Sequence, residues 1–125
     1  MEIDFLKKRA EGFLRDAEFA ISEKRWFSAA FHLEQACQLY LKYFLFKKIK
    51  DFPKTHSLKR LLEAIGEAYS QKKKVKDFLK KEKKVIHDLE QAYLTSRYLP
   101  VDFLEEDVLK MKKFTQRLIK FLNSL

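Results

Sequence analysis

A chain of 125 residues that is 46% hydrophobic is long enough to enclose a core and too apolar to stay disordered. Its 2 Gly and 2 Pro are too few for the turns of a many-stranded sandwich or barrel, and its 1 Cys, Cys37, excludes an intramolecular disulfide. The net charge of +9, from 27 Lys+Arg against 18 Asp+Glu, favours anionic partners, although the Lys- and Glu-rich surface of a heat-adapted protein has the same composition.

The first segment, MEIDFLKKRAEGFL, carries charge throughout, unlike a signal peptide. It reads as helix over 2–22, with Ile3, Leu6, Ala10, Phe13, Leu14, Ala17 and Ile21 on one face and Gly12 as a weak point. After a polar turn at 23–25, a second helix is expected over 25–48. Trp26, Ala29, Ala30, Leu33, Ala36, Cys37, Tyr40 and Phe44 form one stripe, and Phe27, Phe31, Leu41 and Leu45 form a second apolar surface. So wide an apolar circumference predicts a helix central to a bundle or shared with a dimer interface, and the second surface supplies the interface candidates. The most apolar run, 40–46, is broken by Lys42 and is far short of the ~20 residues of a membrane span, so a cytoplasmic chain without membrane contact is expected.

Pro53 closes this region, and Thr55 or Ser57 is the expected cap of a third helix whose apolar face is Leu58, Leu61, Leu62, Ile65 and Tyr69. A lysine-rich turn at 71–74 leads into a fourth helix over 74–98, with Val75, Phe78, Leu79, Val85, Ile86, Leu89, Ala92, Tyr93 and Ser96 inward and Pro100 as its stop. Asp102 and Glu105 have capping-box spacing ahead of a fifth helix that runs to about Asn123. The expected fold is a single all-α domain over 1–125, an up-and-down antiparallel bundle of about five helices. Strict alternation would bring Lys42–Lys48, Thr55–His56 and Arg97–Tyr98 to one end of that bundle.

The three histidines, His32, His56 and His87, have no carboxylate or thiol at metal-ligand spacing, so no metal is expected. His32 reads as packed, His87 as solvated, and His56 as a capping or packing residue at a helix start. Lys76, Lys80, Lys83 and Lys84, with Lys73 a turn earlier, form a row that could follow a phosphate backbone or simply face water. Cys37 falls on the core stripe. Arg97 closes a helix before a proline turn beside Tyr98; its planar fork suits a phosphate, and the plainer alternative is an ion pair with Asp102 or Glu105.

Three segments together, AAFHLEQACQLYLK at 29–42, Thr55-His56-Ser57-Leu58, and Ala92-Tyr93-Leu94-Thr95-Ser96-Arg97-Tyr98, resemble the HEPN family of small helical domains. The resemblance implies a bundle that pairs as a homodimer, and many relatives are encoded beside a minimal nucleotidyltransferase as toxin–antitoxin-like pairs. Many members are metal-independent ribonucleases that use an Arg followed, after four to six residues, by His. Arg97 matches, but Asp102, Phe103 and Leu104 stand where the histidine belongs. The resulting expectation is a nucleotide- or partner-binding module without cofactor, its site at Arg97 and Tyr98 with His56 and Lys42 nearby. The alternative is a degenerate ribonuclease in which Arg97 works with another base.

Overall fold

The uniform apolarity of residues 26–49 is explained by where that helix stands. A computed structural model of the chain describes residues 4–98, 100 and 102–125, apart from the side chains of Ser96 and Arg97. It shows α1 (Asp4–Ser22), α2 (Trp26–Ile49), α3 (Leu58–Ala68), α4 (Lys72–Lys81), α5 (Lys83–Tyr98) and α6 (Glu105–Asn123), and no strand among the described residues. Helix α2 packs against α1, α3, α5 and α6. Ala29, Ala30 and Ala36 have no exposed surface, and their small side chains let the neighbours come close. Helix α1 touches α2 alone among the described residues, burying Leu6, Ala10, Ala17 and Ala20 against it. Ile3 lies outside the described residues.

Side-chain contacts fix the helix directions. The Tyr69 hydroxyl, just past α3, donates to the Phe44 carbonyl at 2.8 Å, and the Lys48 ammonium lies 5.4 Å from the Tyr69 ring. The end of α3 and the start of α4 therefore stand beside the end of α2. From there Phe78 stacks on Phe121 at 4.3 Å, Glu82 bonds Arg117, and Lys74 Nζ reaches Ser124 Oγ at 3.1 Å, so α4 and α6 are antiparallel. The long runs α1, α2, α4–α5 and α6 alternate in direction. The short α3 is the exception. Segment 50–57 doubles back along α2, with Phe52 against Phe46 and under Lys42, so α3 starts part-way up α2 and runs the same way.

This layout corrects the expected meeting of helix ends. The end of α2 meets the start of α4, not the end of α5, because the turn before α3 folds back instead of crossing over. Arg97–Tyr98 and Lys42–Lys48 are thus at different levels of the bundle. The second apolar surface of α2 is corrected too. Leu41 and Leu45 have no exposed surface within one chain, since four helices surround that part of α2, and they cannot form a dimer contact. Phe27 remains 44% exposed and Phe31 half-buried.

The helix expected over 74–98 is two helices, kinked at Glu82. That residue falls on the apolar stripe between Leu79 and Val85. Its backbone departs from helical angles (φ −102, ψ 16), and its carboxylate accepts from Arg117 Nε at 2.7 Å and Nη2 at 2.8 Å. The hydrogen-bond ladder continues through the kink, from Glu82 N–H to Phe78 O and from Ile86 N–H to Glu82 O. The capping box at Asp102 is not formed: Asp102 accepts from the Phe103 N–H, and α6 starts after Leu104 with Glu105, Glu106 and Asp107 in its first turn. Those charges complement the helix dipole in place of a side-chain cap.

Candidate functional site: the polar seam between α2 and α5

Most of the α2–α5 contact is apolar, but one row is not. Glu34 and Gln38, one turn apart on α2, are buried, and Lys42 a further turn on is half-buried. Gln38 Nε2 donates to Glu34 Oε2 and Gln35 Nε2 to Oε1 at 2.9 Å. Burial pushes the Glu34 carboxyl up from its ordinary 4.5 to about 7; the two glutamine amides oppose this, the Glu90 charge adds to it, and Lys42 pulls it back. Burial also lowers the Lys42 ammonium, with Glu34 acting the other way. The sequence signal for this seam is a carboxylate and an amide four residues apart inside an apolar helix, a pattern that places both on one face.

Opposite lies the start of α3 against α5. The Glu90 carboxylate accepts from the Leu58 N–H at 2.9 Å, and Ser57, the N-cap, accepts from the Arg60 N–H at 3.2 Å. Thr55 Oγ1 in turn accepts from the Ser57 N–H, so both expected capping hydroxyls are used. Two donors of this helix start are thereby committed within the chain, which weakens the expectation of an anion seat there. The exposed His56 ring stacks on Tyr93 at 4.7 Å with the planes 23° apart.

Tyr98 is 75% exposed on the last residue of α5. The backbone of Arg97 belongs to the same helical turn, while its side chain lies outside the described ones. Of the expected neighbours, His56 is one turn of α5 away, through Tyr93. Lys42 is not a neighbour, because α5 runs opposite to α2. Arg97 lies seven residues beyond Glu90 and Phe27 seven residues before Glu34, each about 10 Å along its own axis. The end of α5 therefore comes level with Phe27 and Phe31, and the residues expected to bind phosphate share an end of the bundle with the exposed part of the interface face.

The other candidates settle more simply. His32 is half-buried between Phe13 and Phe31, with Nδ1 at 2.7 Å from the Ser28 carbonyl, so that nitrogen carries the donated proton. Cys37 is buried, its thiol is pushed up to about 12 by burial, and it sits 3.4 Å from Thr115 Oγ1. Thr115 spends its own proton on the Met111 carbonyl, which leaves the thiol as donor. His87 and the lysines of α4 and α5 are exposed. Among the described residues no group of His, Cys, Asp and Glu could hold a metal ion, and no helix is long and apolar enough to cross a membrane.

The family model of the HEPN domain matches residues 3–125. The chain matches no curated protein and no solved structure.

Proposed function

The chain belongs to the HEPN domain family, and on that premise we propose that it is a nucleotide- or RNA-phosphate-binding module acting as a homodimer rather than an intact ribonuclease. One observation carries the reading. The last turn of α5, with Arg97 and the exposed Tyr98, comes level with the exposed Phe27 and the half-buried Phe31 of α2. Pairing through Phe27 and Phe31 would bring two such helix ends near one another. Arg97 would then make a two-pronged contact to phosphate, and the outward Tyr98 ring is free to stack on a base. The absence of a histidine at 102–104 argues against the family's ribonuclease chemistry, for which an imidazole moves the proton. A minimal nucleotidyltransferase as partner, in a toxin–antitoxin-like pair, belongs to the same proposal.

Calorimetric titration with ATP, GTP and short RNA, on the native chain and on Arg97→Ala, tests it. Binding that Arg97→Ala abolishes while the melting temperature holds supports the site; binding intact with a lowered melting temperature makes Arg97 structural and refutes it. Light scattering that gives only monomer at micromolar concentration refutes the dimer. The second reading, a degenerate ribonuclease, rests on the exposed His56 imidazole one turn from Arg97. It requires metal-free RNA cleavage that is lost in both Arg97→Ala and His56→Ala.

A further inference from the structure

Helices α3 and α4 form an antiparallel hairpin whose two arms come close at Gly66. Gly66 makes the contact possible: a Cβ there would lie 3.2 Å from the Val75 side chain and 3.3 Å from the Lys72 backbone. Beyond that point α3 scarcely touches α5. The opening is a groove of two joined hollows, about 490 Å³ near Gly66 and about 320 Å³ near Ile86, with Lys59 and Leu79 lining both. Its floor is aliphatic: Val75, Leu79 and Ile86. Its two walls differ in sign. The α4–α5 wall carries Lys72, Lys76, Lys80, Lys83 and His87, all exposed, with Glu90 at its far end engaged by the Leu58 N–H, whereas the α3 wall carries Glu63 and Glu67 beside Lys59. Among the described residues none of these lysines has a carboxylate within 4.0 Å.

We propose that this groove docks an amphipathic helix of a partner protein, its aliphatic ridge on Leu79 and Ile86, its acidic flank along α4–α5, and its basic flank toward Glu63 and Glu67. The proposal is independent of the site at Arg97. The two-signed walls select the occupant. A nucleic-acid strand would gain from the lysines but would meet Glu63 and Glu67 on the other side, and among the described residues no Phe, Tyr or Trp lines the groove for bases to stack on, His87 being its one ring. A helix with leucine-like residues at three- and four-residue steps fills an aliphatic furrow with one face and offers each wall the opposite charge. The unpaired lysines on a chain of net charge +9 supply the attraction.

The test uses the full chain and three probes: a peptide of about four helical turns with the ridge and flanks described, the same composition with its flanks mirrored, and a short oligouridylate. Binding is followed by fluorescence anisotropy and by shifts of the Leu79 and Ile86 methyl resonances. The expected result is binding of the first peptide that moves those methyls and weakens at least about tenfold when the flanks are mirrored. A similar loss is expected in Lys76→Glu/Lys80→Glu, a double variant of exposed residues whose melting temperature should hold. Equal binding of both peptides, binding indifferent to the double variant, or no peptide binding at millimolar concentration overturns the proposal. So does oligouridylate binding lost in the double variant, which would make the groove a nucleic-acid track. Self-association abolished by the same variant would mean that a second copy occupies the groove, and would equally overturn it.

Discussion

Replacing Glu34 with Gln should remove part of the pH dependence of stability. The carboxyl ionises at about 7 in the folded chain against 4.5 ordinarily, so the folded state holds the proton more tightly than the unfolded one. Its favourable contribution is therefore fully present below about 4.5 and is lost as the pH rises through about 7. Each tenfold difference in proton affinity corresponds to about 1.4 kcal/mol, so ionising this buried group costs the fold about 3 kcal/mol in all. The amide does not titrate. The stability of Glu34→Gln relative to the native chain should rise by about 2–3 kcal/mol between about pH 5 and pH 8, on top of a constant loss of about 1 kcal/mol from disturbed bonds to Gln35 and Gln38. Urea unfolding followed by circular dichroism across that range measures the difference directly. A difference that does not change with pH would refute the reasoning, because it would mean that the two glutamine amides and Lys42 outweigh burial and keep Glu34 ionised. Glu90→Gln provides a second check: without the neighbouring charge Glu34 should ionise at lower pH and the dependence should shrink.

Leu41→Ala should cost about 2–5 kcal/mol in chemical unfolding by leaving a cavity in a fully enclosed position. Phe27→Ser with Phe31→Ser should instead convert a homodimer to monomer in light scattering with a smaller stability loss. Arg117→Ala should destabilise by about 1–3 kcal/mol in the same unfolding assay, since it strands the buried Glu82 carboxylate, and Glu82→Gln should recover part of that loss in the double variant. Cys37 should resist a thiol reagent in the native chain and react fully in denaturant, because it is enclosed and its thiol is pushed to about 12; rapid native labelling would show that the α2–α6 contact opens.

The amino-acid sequence by itself determined most of the helical elements, though not the division of the stretch 74–98 into α4 and α5. Three- and four-residue periodicity, the Ser57 cap and the breaks before Pro53 and Pro100 act within a few residues of one another, so local physics is enough to read them. It also narrowed α2 to a helix central to the bundle or shared with a dimer interface, since its apolar circumference has no use unless neighbours surround it, and it pointed to the family through segments at 29–42, 55–58 and 92–98. What it left undetermined was direction and partnership. Whether residues 50–57 cross over or double back depends on contacts such as Phe52 with Phe46 and Tyr69 with Phe44, and this one turn decides which helix ends meet. Leu41 and Phe27 belong to the same surface of α2 by spacing alone, yet one is enclosed and the other exposed, because enclosure depends on which neighbouring helices cover each position. Glu82 breaks a periodic stripe only because Arg117, 35 residues away, is there to receive it. Glu34 reads as one polar residue among many until burial deprives it of water. Pairings of this kind are between residues distant in the chain, so only the tertiary structure could settle them.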